Sequence, residues 1–457
     1  MTTSVSRAIA HRVLLRTEED AAYARHALDA AIKRARPDSR DAGLATELVY
    51  GVLRTGHSLD YIIQSFLPRP LKRVTPSARA ALRLGAYEIL NLRTPDYSAV
   101  DQAVSLLDSK KLRGFVNGVL RNLVRLKEQE KVPEPLKEIK DPVEAQAVHY
   151  GLPLWMMKLL HTELGPEEAK LWAEANSHPA PLNIRVNTHV NSRDELLTKL
   201  QEAEVAAVVL PLFPDALELG PAGNIAALPG FSDGAFIVQD PAAQLVGYLV
   251  SPDKGQNILD LCAAPGGKSL HLAQMLEHTG KVVAVDVHQH KMNLIQDNAN
   301  RLGLKNVIAQ FSDATQLASM KKVLERTKID HVDHIVLDAP CSGLGTLRRH
   351  PELRYKEDSR IQELCELQDA LLLIASQLMG PGSTLTYSLC TMTQAEGIAR
   401  IEKLIGNDSS LQAVPLTNPV LAPFVSDSKL GEKTVLQTLT HKHGADSFFA
   451  MQLRKKP

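Results

Sequence analysis

The chain has 457 residues, 44% of them hydrophobic, and its 52 basic residues are balanced by 52 acidic ones. A chain of this length exceeds one hydrophobic core and predicts two or three domains. Four cysteines without a CxxC pair exclude a disulfide-rich secreted protein and argue against a zinc site, and no apolar run reaches membrane-spanning length. We therefore expect a cytoplasmic protein with no bound metal and no membrane contact.

The first predicted domain, residues 1–130, is all-helical. Apolar residues recur at helical spacing from Ser6 to about Leu126, without two-residue alternation. Between Arg54 and Lys127 there are 13 basic residues against 5 acidic ones, an excess hidden in the neutral total. A clustered basic surface attracts phosphates and indicates RNA or DNA contact. A solvated helical surface without a partner is the alternative.

Three segments of this region resemble the NusB-like RNA-binding helical domain. They are D-A-G-L-A-T-E-L-V-Y-G-V-L-R from Asp41, L-R-L-G-A-Y-E-I-L from Leu82 and F-V-N-G-V-L-R-N-L from Phe115. Their order and spacing favour the RNA-binding alternative.

The rest of the chain divides by composition and pattern. Charges and prolines describe a linker with short helices over residues 131–165, and mixed helical and strand patterns predict a small α/β subdomain over 166–235. From 236 to 457, strand and helix patterns alternate regularly, which predicts a mostly parallel, Rossmann-like sheet ending in an antiparallel hairpin. The predicted parallel strands are Ile258–Leu261, Val282–Asp286, Val307–Phe311, His334–Asp338 and Thr384–Tyr387.

A glycine loop and strand-end acids predict a nucleotide-like cofactor site. The loop L-D-L-C-A-A-P-G-G-K-S starts at Leu259 and lets the backbone of Gly266 and Gly267 approach a ligand at a helix N-terminus. It lacks the first glycine of the Walker pattern, which disfavours ATP. Asp286, Asp313 and Asp338 end successive strands, where acids can bind ribose and base edges.

Two of the four cysteines are candidates for chemistry. Cys365 lies on the apolar face of a predicted helix, and Cys262 in the glycine loop has no evident chemical task. Cys341, in L-D-A-P-C-S-G, and Cys390, in Y-S-L-C-T, follow strands that should be neighbours. A thiolate at either position could act as a catalytic nucleophile. Spacing alone does not rank the two.

In their order, C-A-A-P-G-G-K, Asp286, S-D-A, L-D-A-P-C-S-G and Y-S-L-C-T resemble the motifs of RNA cytosine-5 methyltransferases that use S-adenosylmethionine. Together with the NusB-like N-terminal segments, these motifs make the chain resemble the bacterial group of these enzymes that methylates 16S ribosomal RNA. The resemblance implies an all-α N-terminal domain followed by a Rossmann-like methyltransferase domain with its small α/β subdomain. It also implies that the cofactor is bound by the residues Cys262, Ala263, Ala264, Pro265, Gly266, Gly267, Lys268, Asp286, Asp313 and Asp338.

The same resemblance ranks the thiols. It implies that Cys390 attacks carbon 6, that Cys341 assists its release and that Asp338 binds the N3 edge of the base; DNA enzymes instead attack with the Pro-Cys thiol. The sequence departs from the family pattern around Cys390, where Leu389 and Thr391 flank the thiol and Gln394 and Gly397 replace the usual Pro and Asn. These departures leave the thiol in place.

The predicted partner is 16S ribosomal RNA with its target cytosine single-stranded or flipped, bound by a monomeric protein. Residues predicted to contact this RNA are Arg348, Arg349, Arg354, Lys356 and Arg185. An exocyclic-amine methyltransferase is disfavoured, because Asp338-Ala339-Pro340-Cys341 replaces the [DN]-P-P-[YF] motif. An RNA-binding ribosome-assembly factor with a vestigial methyltransferase domain is the remaining alternative.

Overall fold

A computed structural model describes residues 4–19 and 24–456, which form two compact units. Residues 1–179 and 347–358 belong to the first unit, and residues 180–346 and 359–457 to the second. Residues 1–3, 20–23 and 457 of the predicted terminal domains lie outside the described residues. Within the described ranges, no helix is both long enough and apolar enough to cross a membrane.

Helices form the first part of the first unit, as the 3.6-residue periodicity predicts. Side chains of Leu48, Leu59, Ile63, Leu82 and Ile89 are buried in one core. The predicted all-helical class is thereby confirmed over the described residues. These helices are α1 (Val5–Glu19), α2 (Ala24–Ala35), α3 (Ser39–Gln64), α4 (Pro76–Asn91), α5 (Asp96–Ser105) and α6 (Lys110–Glu128).

Four shorter helices and one distant segment complete this unit. Three of the four helices begin with a proline, whose fixed φ suits the first helical position. They are α7 (Pro135–Glu138), α8 (Pro142–His149), α9 (Leu154–Leu164) and α10 (Pro166–Asn176). The distant segment is residues 347–358, which contains the 3₁₀ turn Pro351–Tyr355. Tyr355 stacks on His57 with 5.2 Å between ring centroids and donates to the Leu53 carbonyl over 3.3 Å.

The second unit begins with a small antiparallel sheet in the order β2-β3-β1-β4. Its strands are β1 (Leu182–Val186), β2 (Ala207–Val209), β3 (Ala216–Leu219) and β4 (Phe236–Val238), and α11 (Arg193–Glu202) lies between β1 and β2 in the chain. A capping box between Ser192 and Glu195 starts α11. The sequence predicts β1, α11 and β2 but not the short strands β3 and β4.

The large sheet has nine strands, and its central part is parallel in the order β9-β8-β5-β6-β7. Strand β13 joins β9 in antiparallel fashion and also pairs with β10 and β12, and β12 pairs with β11. The strands are β5 (Asn257–Asp260), β6 (Lys281–Asp286), β7 (Val307–Phe311), β8 (His334–Asp338), β9 (Thr384–Leu389), β10 (Leu411–Ala413), β11 (Val425–Ser428), β12 (Gly431–Thr438) and β13 (Phe448–Lys455).

Seven helices accompany this sheet: α12 (Pro241–Val250), α13 (Gly267–Met275), α14 (Gln289–Arg301), α15 (Leu317–Thr327), α16 (Ser359–Leu378), α17 (Ile398–Asn407) and α18 (Thr440–His443). The predicted α/β class and the antiparallel terminal hairpin are confirmed. Strand β8 lies between β5 and β9, so the loops after these three strands meet at one edge. That edge carries the glycine loop and both candidate thiols.

Candidate active site

Cys341 and Cys390 lie side by side after β8 and β9. The two strands are parallel, with Asp338 opposite Ser388, and the two Sγ atoms are 3.3 Å apart. The interaction with Cys390 and burial together raise the pKa of Cys341 well above its ordinary value. Cys341 is therefore a protonated thiol at neutral pH, close enough to donate to the sulfur of Cys390.

Asp338 ends β8 and is oriented by two hydrogen bonds. Lys268 Nζ lies 2.6 Å from its Oδ2, and Ser388 Oγ donates to its Oδ1 over 2.9 Å. The side chain of Asp338 is 32% exposed while that of Lys268 is 12% exposed, so the carboxylate is the more accessible partner. Ser388 and Lys268 thus fix the carboxylate and leave part of it open to a ligand.

Lys268 is positively charged within this site. Burial opposes its protonation, but the charges of Asp338, Cys390 and Asp260 outweigh burial and raise the pKa of Lys268. An ammonium in a region of low dielectric stabilises nearby negative charge more strongly than it would in water. Lys268 can therefore stabilise both the Asp338 carboxylate and a thiolate of Cys390.

The loop between β5 and α13 brings two glycines to the start of the helix. Gly266 adopts φ +104°, a conformation that residues with a side chain rarely take. A side chain at Gly267 would place its Cβ 3.2 Å from Gln239 Nε2. The carbonyl of Gly267 accepts a hydrogen bond of 2.8 Å from Arg185, which ties the start of α13 to β1.

Asp286 and Asp313 occupy different environments at the ends of β6 and β7. Asp286 is buried, and its Oδ2 accepts from the Ala264 N–H of the loop over 3.1 Å. Its Oδ1 lies 2.8 Å from His288 Nδ1. Asp313 is exposed and accepts from the backbone N–H and the hydroxyl of Thr315 over 2.9 and 2.6 Å. Asp286 is thus coupled to the loop, whereas Asp313 forms a local turn beside it.

The comparisons with known proteins agree over the whole chain. Residues 4–125 match the NusB family, residues 152–226 a ferredoxin-like domain of RsmF/B-like methyltransferases, and residues 247–454 the family described as 16S rRNA methyltransferase RsmB/F. The probable ribosomal RNA small subunit methyltransferase B of Bacillus subtilis is 35% identical, with 99% of each chain covered. Ribosomal RNA small subunit methyltransferase B of Escherichia coli is 32% identical over 91% of each.

The chain belongs to the RsmB/F family. As a member it is an RNA methyltransferase, which confirms the predicted enzyme class and the resemblance on which that class rested. The crystal structure of PH0851 has a TM-score of 0.80 and 25% identity with both chains fully covered. A methyltransferase homologue from Pyrococcus horikoshii, with a TM-score of 0.58 and 24% identity over 69% of this chain and all of its own, shares the fold.

Two of the arginines predicted to contact RNA are buried in this RsmB/F member. Arg354 is 1% exposed and donates to the Asn176 carbonyl over 2.7 Å. Arg185 is also 1% exposed and donates to Gln239 and Gly267. A guanidinium enclosed by protein cannot reach a phosphate in solvent, so the burial of Arg354 and Arg185 argues against both assignments: Arg354 holds a backbone carbonyl, and Arg185 holds a backbone carbonyl and the Gln239 side chain.

The other three predicted RNA-contact residues differ in exposure. Arg348 is 9% exposed, whereas Arg349 and Lys356 are half-buried. Phosphate contact therefore remains a prediction for Arg349 and Lys356 in particular. All three lie in the segment 347–358, which belongs to the first unit.

The remaining cysteines have the surroundings of packing residues. Cys365 is buried on α16, and its Sγ lies 3.6 Å from the Ala395 carbonyl. Cys262 is half-buried, and burial together with the charge of Asp260 raises its pKa. Neither thiol is poised for nucleophilic attack, because both pKa values are raised.

Sequence reasoning missed two buried acids of the site. Asp260, the last residue of β5, is 1% exposed and accepts from Ser269 Oγ over 2.6 Å. Glu396 lies six residues after Cys390 and accepts hydrogen bonds from the loops that bear both thiols. The strand-end position was the available signal for Asp260, whereas no local pattern singled out Glu396.

Proposed function

We propose that this protein transfers a methyl group from S-adenosylmethionine to carbon 5 of a cytosine in 16S ribosomal RNA, through a covalent bond between Cys390 and carbon 6. The observation that carries the proposal is the pair of thiols 3.3 Å apart beside Asp338. Carbon 5 of cytosine is too weakly nucleophilic to accept a methyl group directly. A thiolate added at carbon 6 removes that barrier and can leave afterwards.

The chain's residues fit the proposed cofactor. Gly266 and Gly267 leave space where a side chain would be strained or would crowd Gln239, and the N-terminus of α13 offers unpaired N–H groups to a carboxylate. Asp286 lies next to this loop and would bind the ribose hydroxyls, with Asp313 near the adenine. Bound there, S-adenosylmethionine supplies a methyl group made electrophilic by its sulfonium.

Each of the three catalytic residues has one proposed task. The Cys390 thiolate adds to carbon 6, and the Asp338 carboxylate, held by Lys268 and Ser388, accepts a hydrogen bond from a proton at N3, where the electron pair displaced by the attack is taken up. Carbon 5 would then take the methyl group, with the donor sulfur leaving as a neutral thioether, and would give its proton to a base such as water. On elimination, the protonated thiol of Cys341 assists departure of the Cys390 sulfur.

The raised pKa of Cys341 supports this division of roles. A thiol that stays protonated is a poor nucleophile but a suitable hydrogen-bond donor to a leaving thiolate. The ranking of the two cysteines rests on the family resemblance.

The proposed partner is 16S ribosomal RNA, named as the substrate in the description of the matching family. The target cytosine would be single-stranded or flipped, because carbon 6 of a stacked base is not accessible to a thiol. We propose that a monomer binds it, with Arg349 and Lys356 contacting phosphates.

The test compares three cysteine variants on 16S RNA from a strain that lacks the protein. Cys390→Ala should abolish methyl transfer, Cys341→Ala should accumulate a protein–RNA adduct that survives denaturation, and Cys365→Ala should match the wild type. Full activity of Cys390→Ala would disprove the covalent mechanism. Bisulfite sequencing of RNA from the deletion and complemented strains would identify the cytosine.

The competing function, a ribosome-assembly factor with a vestigial methyltransferase domain, makes the opposite prediction. It requires that calorimetry detect no S-adenosylmethionine binding and that no cytosine lose its methyl group in the deletion strain. Binding together with a lost methyl group would exclude it.

A further inference from the structure

Glu396 is a fully buried carboxylate between the two loops that carry the thiols. It is 0% exposed and precedes α17 by two residues. Its Oε1 accepts from the Ser342 backbone N–H over 2.7 Å, and its Oε2 accepts from the Ser342 hydroxyl over 2.6 Å. Ser342 directly follows Cys341. The two carboxylate oxygens of Glu396 therefore both bind the residue next to Cys341.

The same carboxylate also holds the loop of the other thiol. Thr393 Oγ1, three residues after Cys390, donates to Oε2 over 2.9 Å. Ser342 Oγ in addition lies 3.1 Å from Thr391 Oγ1, next to Cys390. One side chain therefore connects the loop after β8 to the loop after β9 at a point adjacent to both sulfurs.

Two further groups fix Glu396 itself. Gln368 on α16 donates from Nε2 to Oε1 over 3.2 Å and to the Pro340 carbonyl over 2.9 Å. The backbone carbonyl of Glu396 accepts from Tyr387 OH over 2.8 Å. The carboxylate is thus anchored to α16 and β9 while it binds the two loops.

This arrangement is specific for an ionised carboxylate. Four donor groups converge on its two oxygens, and a buried charge is stable only when it is paired or hydrogen-bonded in this way. In a glutamine of the same size, an N–H₂ group would replace one of the two oxygens. That group cannot accept the hydrogen bonds that the oxygen accepts. The negative charge also contributes to the raised pKa of Cys341.

We propose that Glu396 is a positioning residue that holds Cys341 against Cys390 and thereby sets the rate at which the covalent adduct is released. This inference rests on the proposed covalent mechanism. Glu396 itself does not touch the base or the cofactor; it acts through Ser342 and Thr393 on the separation of the two sulfurs. Loosening it would leave attack by Cys390 possible and would slow elimination.

The central experiment uses Glu396→Gln in the full-length protein. We expect kcat to fall about 10- to 100-fold, because a misplacement near 1 Å has an effect of that size, while KM for RNA and for S-adenosylmethionine stays within about twofold. Denaturing gels should show severalfold more protein–RNA adduct than in the wild type. The matched control is Asp369→Asn, which removes a carboxylate from α16 that binds Arg400 and Lys403. It should behave as the wild type in every assay.

A second measurement needs neither RNA nor cofactor. Diamide takes two electrons and two protons from a pair of thiols, forms the disulfide and becomes the corresponding hydrazine. The rate of Cys341–Cys390 disulfide formation, followed by mass spectrometry, reports how closely the loops hold the sulfurs together. We expect Glu396→Gln to slow it severalfold and Asp369→Asn to leave it unchanged.

The outcomes separate this inference from the proposed function. If Cys390→Ala is fully active, the covalent mechanism fails, and the disulfide rate still decides whether Glu396 positions the thiols. If Cys390→Ala is inactive but Glu396→Gln has wild-type kcat, adduct level and disulfide rate, the role of Glu396 is wrong. Should Glu396→Gln not fold, Ser342→Ala removes one donor of the same carboxylate, and unchanged disulfide and adduct levels in it would overturn the inference.

Discussion

Lys268 Nζ lies 2.6 Å from Asp338 Oδ2 and 5.4 Å from the centroid of the Phe448 ring. The lysine ends the A-A-P-G-G-K run of the glycine loop, and the aspartate ends the strand that leads to Cys341. A single ion pair therefore joins the loop proposed to hold the methyl donor to the acid proposed to hold the base. Displacement of either motif would therefore also displace the other through this ion pair.

We predict that Lys268→Met lowers kcat/KM for methyl transfer about 100-fold, the usual effect of removing one preorganised electrostatic partner from an active site. The methionine keeps most of the volume but leaves Asp338 without its cation. Lys254→Met is the control, because its ammonium pairs with Glu277 where both side chains are more than half exposed. Equal activities of the two variants would contradict the role of the ion pair.

Asp260 gives the fold a specific pH dependence. Burial raises its pKa to about 7, against the opposing hydrogen bond from Ser269 and with a further contribution from Asp338. In the unfolded chain the pKa of an aspartate is about 4. Between about pH 4 and 7 the folded protein therefore holds a proton that the unfolded chain has released. The stability contributed by this group is therefore present at low pH and is lost as pH rises through 7.

We predict that Asp260→Asn abolishes this loss of stability at high pH. Asparagine can still accept the hydrogen bond from Ser269 Oγ, and it carries no charge. Relative to the wild type, the variant's free energy of unfolding should rise between pH 5.5 and 8, by at most about 1.4 kcal/mol per pH unit, and its melting temperature should rise with it. Calorimetry at both pH values measures the difference. A gap between the two proteins that does not change with pH would show that Asp260 is ionised throughout this range.

For Arg354 we predict a defect in stability rather than in RNA binding. Arg354→Met leaves the Asn176 carbonyl without its donor, which costs about 1–3 kcal/mol. The melting temperature should fall by several degrees, while the dependence of RNA affinity on salt stays that of the wild type. Arg349→Ala is the matched variant: if Arg349 contacts a phosphate, the slope of log affinity against log salt should drop by about one. A reduced slope in Arg354→Met would restore its role as a phosphate ligand.

The sheet could be predicted closely because its strands are short apolar runs with clear ends. His334–Asp338 and Val307–Phe311 have the same bounds in the sequence prediction and in the structure. The helices α12 and α15 were missed. Pro241–Val250 is apolar nearly all round and lacks an amphipathic pattern, whereas Leu317–Thr327 lies in a stretch whose charges resemble a loop.

The site was predicted less completely, for a physical reason. Asp338, Cys341 and Cys390 are identifiable because each stands at a strand end in a characteristic motif. The role of Glu396 depends on four donors brought together from three segments, which no local pattern records. The arginines failed in the opposite way: charge predicts exposure, and only tertiary packing reveals that Arg354 and Arg185 are enclosed.

The membership of residues 347–358 in the first unit has a consequence for biosynthesis. The ribosome makes the other residues of that unit first, then residues 180–346, and only afterwards the segment whose Tyr355 stacks on His57. At about 5–20 residues per second, this intervening stretch takes on the order of ten to thirty seconds to translate. Until then the helices emerge without the turn that covers α3, so the N-terminal unit cannot reach its final packing before residue 358 has been made.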